Sequence, residues 1–414
     1  MQRNRYYVPV LLFTLALSLR LIAIHIWRTA DYSHGDPSEY LALAHNLRYH
    51  GTFSFGESHP WGADGTLNPS GPFLPTASRA PLYPIVIAML WWKTVPPILW
   101  VRILQGILGA FTVLLTYRIA LQVLPRLAVL VGLAMALAPL TLRMTADVMS
   151  ETLFTFLLTL GIYLWGLRRA WSAGAVLGLA TLTRPVLLPF FILLLALGVL
   201  QRDQRKVYVK IAVGGMLVVI PWTVRNVITL HHLVLVNSQG WGSNLIFGML
   251  DVAYGNGNPW FYYTDTDIKR IISTTTTESE AESQMVDESL HRIERHPLYW
   301  IWVRAKEYPR LFGDTATYLY EFGPPRLIKI IFLLGSVVFL LLSVIGLWLA
   351  PPHITLFPIY FIVVQFPMLG DVRYSLPLTP LMVILSFVTL SRSDALRRVR
   401  CFRLLPPASP GKAT

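Results

Sequence analysis

Leu82-Tyr83-Pro84-Ile85-Val86-Ile87-Ala88-Met89-Leu90-Trp91-Trp92-Lys93-Thr94-Val95 is the stretch on which the topology of this chain turns. Counted as a full membrane span, it inverts the side of every later loop. Read as a re-entrant or interfacial helix leading into the next span, it leaves ten spans, near 6–27, 97–118, 126–141, 151–167, 172–184, 185–201, 207–225, 327–349, 353–369 and 375–391. The charges favour the second reading. Arg3, Arg5, Arg118, Arg126, Arg168, Arg169, Arg202, Arg205, Lys206 and Lys210 all then face one side, joined by Arg392, Arg397, Arg398, Arg400 and Arg403 of the C-terminal tail. That side is cytoplasmic by the positive-inside rule, and both termini lie on it.

Composition supports a membrane protein. Of 414 residues, 54% are hydrophobic and 14% charged, against about 25% charged in a soluble domain. Mean hydropathy is +0.53. In hydrocarbon every backbone polar group must be bonded internally, so repeated apolar runs mean a helical bundle. The net charge of +13 is spread over short loops and does not form a nucleic-acid-binding patch. The single cysteine, Cys401, excludes an intramolecular disulfide and a multi-cysteine metal site. The run from Tyr6 to Trp27 is longer than a signal-peptide core and lacks a clear cleavage site, so it reads as a retained first helix.

Upstream of the deciding stretch lies a long polar loop, 28–80, on the outer side. It opens with three carboxylates and a histidine (Asp31, His34, Asp36, Glu39) and closes at Arg79. Gly35-Asp36-Pro37-Ser38-Glu39 is a good helix start, with Asp36 as N-cap, Pro37 at N1 and Glu39 at N3. A short amphipathic helix from Ser38 to Tyr49 follows, with Tyr40, Leu41, Leu43, Ala44 and Leu47 on its apolar side. Capping alone is therefore a sufficient account of Asp36 on local grounds.

Downstream, charges sit at span ends on the same outer side: Arg143, Asp147 and Glu151; Arg184; Arg225; and Asp371 and Arg373 in the last outer loop. Singly, each suits an interfacial anchor. Together, Arg79, Arg143, Arg184, Arg225 and Arg373 run against the positive-inside trend and point to an anionic group bound at the outer boundary. A second outer region, 226–326, is expected to be a modest cap, with a mobile Ser/Thr/Glu-rich segment over Ser273–Ser283 and an interfacial helix from His296 to Tyr308. The chain thus divides into a membrane module with the first outer loop (1–225), the cap (226–326) and C-terminal spans with a basic tail (327–414).

The sequence carries no G-x-x-x-x-G-K-[ST] loop, no H-E-x-x-H, no G-x-S-x-G and no paired-cysteine motif. A carboxylate loop with arginines at the outer surface suits group transfer from a lipid-linked phosphate: arginines stabilise the leaving phosphate while a carboxylate takes the acceptor's proton.

In order and spacing, the outer residues resemble a family. Asp36, Tyr40, Ala42, Ala44, Gly51 and Phe53 are followed by Arg79, Pro81, Tyr83 and Pro84, then Ser150-Glu151, then Leu182-Thr183-Arg184-Pro185. Pro221-Trp222 with Arg225-Asn226 comes next, and Arg373-Tyr374 with Leu376-Pro377 and Pro380 closes the series. This is similar to the polyprenyl-phosphate-sugar-dependent glycosyltransferases of the GT-C fold, in the branch of protein O-mannosyltransferases and lipid A aminoarabinose transferases. The resemblance covers most of the chain and weakens over 250–325. It implies an all-α, GT-C-like bundle of about ten transmembrane helices, juxtamembrane helices in the first outer loop and a small extracytoplasmic cap. It also implies inverting transfer of a sugar from a polyprenyl-phosphate donor to an extracytoplasmic acceptor (protein, lipid or glycan) at the inner membrane. Asp36 would be the base, and Tyr40, Arg79, Tyr83, Arg143, Glu151, Arg184, Arg225, Asn226, Arg373 and Tyr374 would bind substrate. Many relatives have two adjacent acids in the first loop; here Pro37 takes the second place.

These residues establish no cofactor and leave a divalent metal ion open. Some relatives bind a divalent metal ion, for which His34, Glu39, His59, His231 and His232 are candidate ligands without diagnostic spacing. The rival reading is a secondary transporter or flippase for an anionic lipid-linked solute, which predicts charges near mid-membrane and repeat symmetry; no internal repeat is visible.

Overall fold

The computed structural model describes residues 4–28, 32, 35–55, 74–93, 95–253, 265–275, 278–308, 310–313, 325–368 and 371–392. Asp31, His34, His59 and the basic tail beyond Arg392 lie outside the described residues. The described chain is all-helical. In order it runs α1 (Asn4–Ile26), α2 (Gly35–His50), α3 (Leu82–Leu90), α4 (Ile98–Val123), α5 (Ala128–Ala136), α6 (Pro139–Ala146) and α7 (Glu151–Gly166). It continues through α8 (Ala170–Thr181), α9 (Leu188–Leu200), α10 (Arg205–Leu230), α11 (Trp241–Ala253), α12 (Thr266–Thr274), α13 (Glu278–Arg295) and α14 (Pro297–Glu307). The short α15 (Arg310–Gly313), α16 (Arg326–Leu347), α17 (Pro352–Gln365) and α18 (Thr379–Arg392) complete it.

Five of these segments are long and apolar enough to cross a bilayer: Tyr7–Ile26, Ile98–Val123, Arg205–Leu230, Arg326–Leu347 and Val372–Arg392. A sixth forms if α5 and α6, bent by 45° at their junction, act as one span. Pro139 opens α6, and a proline removes a helical hydrogen bond and clashes with the preceding turn. Four shorter apolar helices, at 151–166, 170–181, 185–200 and 352–365, occupy places where the sequence suggests further spans. α3, at nine residues, reaches about 14 Å, half of a hydrocarbon core of about 30 Å.

Close helix approach is built from small residues. Gly174 and Gly178 of α8 face Gly214 and Gly215 of α10, and a Cβ on Gly178 would lie 2.6 Å from the Gly215 carbonyl oxygen. This is the small-xxx-small packing that lets backbones touch in lipid. Threonines 112, 116, 155, 159 and 181 donate their hydroxyls to carbonyls one turn back, leaving no buried O–H unsatisfied there.

The helix ends sort by contact. At the start of α4, Arg102 donates to the carbonyls of Trp27 and Arg28 beyond α1 and of Ala146 at the end of α6. This is the end that carries α2, α3 and the loops of interest. At the opposite end, Gly166 of α7 abuts Gln122 of α4 and His353 of α17, among the basic loops.

The described residues of 226–326 are more helical than their composition suggests. Ser273–Ser283 reads as a mobile segment, yet Glu278 opens the 18-residue α13. Glu278 accepts from Thr76 Oγ1 (3.0 Å) and Ser238 Oγ (2.8 Å). Acids in a first turn complement the helix dipole, so the glutamates that suggest disorder start a helix instead. Arg292 ties α13 to the start of α12 through Asp265 and Asp267, and Glu282 accepts from the backbone of Gly242 and Ser243 at the start of α11.

Candidate functional site

Gly35 begins α2 with φ +69°, a left-handed conformation that glycine adopts without steric cost. Asp36 therefore falls inside the first turn of α2, one step past the capping place its sequence suggests. Its Oδ1 accepts from Arg79 Nη2 at 2.8 Å and its Oδ2 from Arg373 Nη1 at 3.1 Å. One turn further on, Glu39 Oε2 accepts from Arg79 Nε at 2.5 Å. Residues three apart share a helix face, so Asp36 and Glu39 hold Arg79 between them.

The segment that delivers Arg79 is strapped by main-chain hydrogen bonds. Thr76 N donates to Phe53 O (2.9 Å), Ser238 N to Ala77 O (2.8 Å) and Leu82 N to Leu182 O (2.9 Å). The last of these brings in the break between α8 and α9, where Arg184 sits in extended backbone. Arg184 Nη1 lies 2.7 Å from Glu151 Oε1, a carboxylate only 1% exposed at the start of α7. Arg373 comes from the 3-10 turn Val372–Leu378, where Asp371 accepts from both its backbone N–H (3.0 Å) and its Nε (2.8 Å). The Tyr374 ring stacks under both guanidiniums, at 5.2 Å from Arg184 and 5.4 Å from Arg373.

Two tyrosines form the floor. Tyr40 shares a hydrogen bond with Ser150 Oγ (3.2 Å) and meets the Tyr83 ring edge-on at 5.0 Å. Tyr83 donates to Gln105 Oε1 at 2.7 Å, and Gln105 donates in turn to the carbonyls of Thr145 and Asp147. Gln105 has a legible signal, as an amide inside an otherwise apolar span. Asp371 has a weaker one, two residues before Arg373. Neither is among the expected binding residues.

Two expected members lie elsewhere. Arg143 pairs with Asp147 one turn on and stacks on Trp27 at 5.5 Å, beside Arg102 rather than Asp36. Arg225 donates to Thr76 O (2.8 Å) and Asn226 Oδ1 (3.1 Å). The fully buried Asn226 uses its Nδ2 to hold the carbonyls of Val234 and Val236. Sequence places these arginines on one face; helix rotation then directs them to different pockets.

Charge bookkeeping changes the character of the cluster. Arg79, Arg184 and Arg373 carry three positive charges, and Asp36, Glu39, Glu151 and Asp371 four negative ones, leaving one negative charge over. Each arginine has a carboxylate of its own (Glu39, Glu151 and Asp371), so Asp36 is the shared, surplus one. Burial pushes the Asp36 carboxyl up, but Arg79, Arg373 and Arg184 outweigh it and hold it at about 2. Burial, reinforced by Asp36, pushes the Tyr40 hydroxyl up to about 12. An anion entering here must compete with Asp36 for guanidinium donors.

Of the candidate metal ligands, His34 and His59 lie outside the described residues. Among the described residues, no three His, Cys, Asp or Glu side chains come together to hold one. Glu39 faces Arg79, and the His232 ring nitrogens are taken up by Leu230 O and Ser279 Oγ. Comparisons with family models and with curated proteins give no significant match, so the functional reading rests on the chain's own residues.

Proposed function

We propose that this membrane protein is an inverting glycosyltransferase that takes a sugar from a polyprenyl-phosphate carrier and places it on an extracytoplasmic acceptor. The bundle would sit in the plasma membrane with the α2 end facing out. The observation that carries the reading is the convergence of Asp36, Arg79, Arg184 and Arg373, drawn from four separate segments onto one helix start. In the reaction, the acceptor hydroxyl gives its proton to Asp36 and its oxygen bonds to the anomeric carbon. The bond from that carbon to the phosphate oxygen breaks, and its electron pair leaves with polyprenyl phosphate. Arg79 and Arg373 turn from Asp36 to the departing phosphate, which frees the carboxylate and raises its proton affinity at the moment of need.

One observation favours a carrier instead. Saturated arginine–carboxylate pairs resemble a gate that opens as ligand replaces one partner. A single substitution separates the two. Asp36→Asn keeps the shape and removes the base, so in proteoliposomes it should bind donor and lose sugar transfer by roughly 10²–10⁴-fold. Retention of most transfer by Asp36→Asn would remove Asp36 from the chemistry. Movement of intact donor across the bilayer, with no transfer, would establish the carrier.

A further inference from the structure

At the far end of α2 lies a cavity of about 300 Å³, walled by Leu47, Phe53, Pro75, Ile85 and Trp222, with Arg225 among its lining residues. This is the lower end of the range for small-molecule sites, roughly 300–1,000 Å³. The Arg225 guanidinium lies over the Trp222 ring at 4.8 Å and near the Phe53 ring at 5.8 Å. Its Nη1 is anchored on Thr76 O and Asn226 Oδ1, both neutral. Here Arg225 departs from Arg79, Arg184 and Arg373: among the described residues no carboxylate forms an ion pair with it, the Glu278 carboxylate being taken up by Thr76 Oγ1 and Ser238 Oγ.

The α2 wall of the cavity is removed from the Asp36 cluster. Leu47 is eleven residues beyond Asp36 on the same helix, about 16 Å along its axis, which is longer than a sugar ring can bridge. Beside Arg225, α10 turns Val224 (49% exposed) and Ile228 (68% exposed) outward. These continue the apolar surface of a membrane-spanning helix up to the cavity mouth.

We propose that this cavity binds one anionic lipid of the adjoining leaflet, its phosphate on Arg225 and its first methylenes against Leu47, Phe53, Ile85 and Trp222. A guanidinium stacked on aromatics presents a planar fork of donors that matches phosphate oxygens. A cation with no ion-pair partner among the described residues, beside lipid-facing aliphatic residues, selects a negative headgroup that carries a chain. The inference stands apart from glycosyl transfer and holds whether or not Asp36 is a base.

The test uses full-length protein in nanodiscs of mixed phosphatidylcholine and phosphatidylglycerol, released into native mass spectrometry. The parent protein should retain one phosphatidylglycerol in preference to phosphatidylcholine. Arg225→Gln should weaken that retention by about ten- to a hundredfold, the scale of losing charge-assisted hydrogen bonds. Thr229→Trp, which fills the cavity mouth and leaves Arg225 in place, should do the same and decides the matter if Arg225→Gln does not fold. Arg79→Gln should leave retention unchanged. Equal retention of both lipids overturns the proposal. So does retention indifferent to both cavity substitutions, or retention lost equally in Arg79→Gln, since each would place the lipid elsewhere.

Discussion

The pair Glu151–Arg184 is asymmetric, and the asymmetry has a measurable size. The two side chains lie 2.7 Å apart, with Glu151 1% exposed and Arg184 23% exposed. At an effective dielectric of about 20, their attraction is about 6 kcal/mol, much of it offset by the cost of removing both from water. Arg184→Met leaves a carboxylate in a site that water barely reaches, and uncompensated buried charges cost about 3–5 kcal/mol. Glu151→Gln leaves a cation that can turn toward solvent and an amide of similar shape, so the expected loss is only about 1–2 kcal/mol. The start of α7, where Glu151 sits, softens the first figure by up to about 1 kcal/mol through the helix dipole. In the double variant the penalties should not add; a coupling of about 2–3 kcal/mol is expected. The assay is unfolding in mixed dodecylmaltoside and dodecyl sulfate micelles, followed by tryptophan fluorescence. Equal losses for the two single variants would refute the reasoning.

The other predictions concern pH and packing. Asp36 is held at about 2, below the value of about 3.9 for an unfolded chain. Its contribution is therefore present in full above about pH 4 and disappears as pH falls through about 2. Unfolding curves taken from pH 7 to 3 should show no Asp36-dependent change until the acid end, and a transition near pH 6 that vanishes in Asp36→Asn would contradict the ion-pair geometry. Gly178→Ala places a Cβ 2.6 Å from the Gly215 carbonyl oxygen and should cost about 1–3 kcal/mol. Gly335→Ala meets nothing within 4 Å and should stabilise by about 0.5–1 kcal/mol in the same assay. A Gly178→Ala protein as stable as the parent would mean that α8 and α10 do not touch as described.

Hydropathy and turn chemistry made the helices legible, because apolar runs and breakers such as Arg184-Pro185 are local signals. The shortness of α3 and the helical run of α2 are of this kind. What stayed hidden depends on rotation and on distance in sequence. Arg143 and Arg225 are expected on one face with Arg79, yet Arg143 goes to Asp147 and Arg225 to the Phe53–Trp222 cavity. The sequence pattern suggested an excess of cations, whereas each clustered arginine meets its own acid. Counting arginines by side could not reveal that balance, since Glu39 lies 40 residues from Arg79 and carries no period that points to it. Asp36 lies one step past its capping place because Gly35 begins the helix in a left-handed conformation, and its oxygens accept from two guanidiniums instead.

The bond between Asp36 and Arg373 spans 337 positions of the chain. A ribosome making about 5–20 residues per second needs about 17–67 s to travel that distance. During that interval Asp36 and Glu39 have been made while Arg373 has not. Arg79 and the strap residues Leu182 and Ser238 all precede Arg373 in the chain, so the Asp36–Arg373 bond is the last of these contacts that synthesis permits, and a chain stalled before Asp371 would hold a carboxylate whose second oxygen still lacks that arginine.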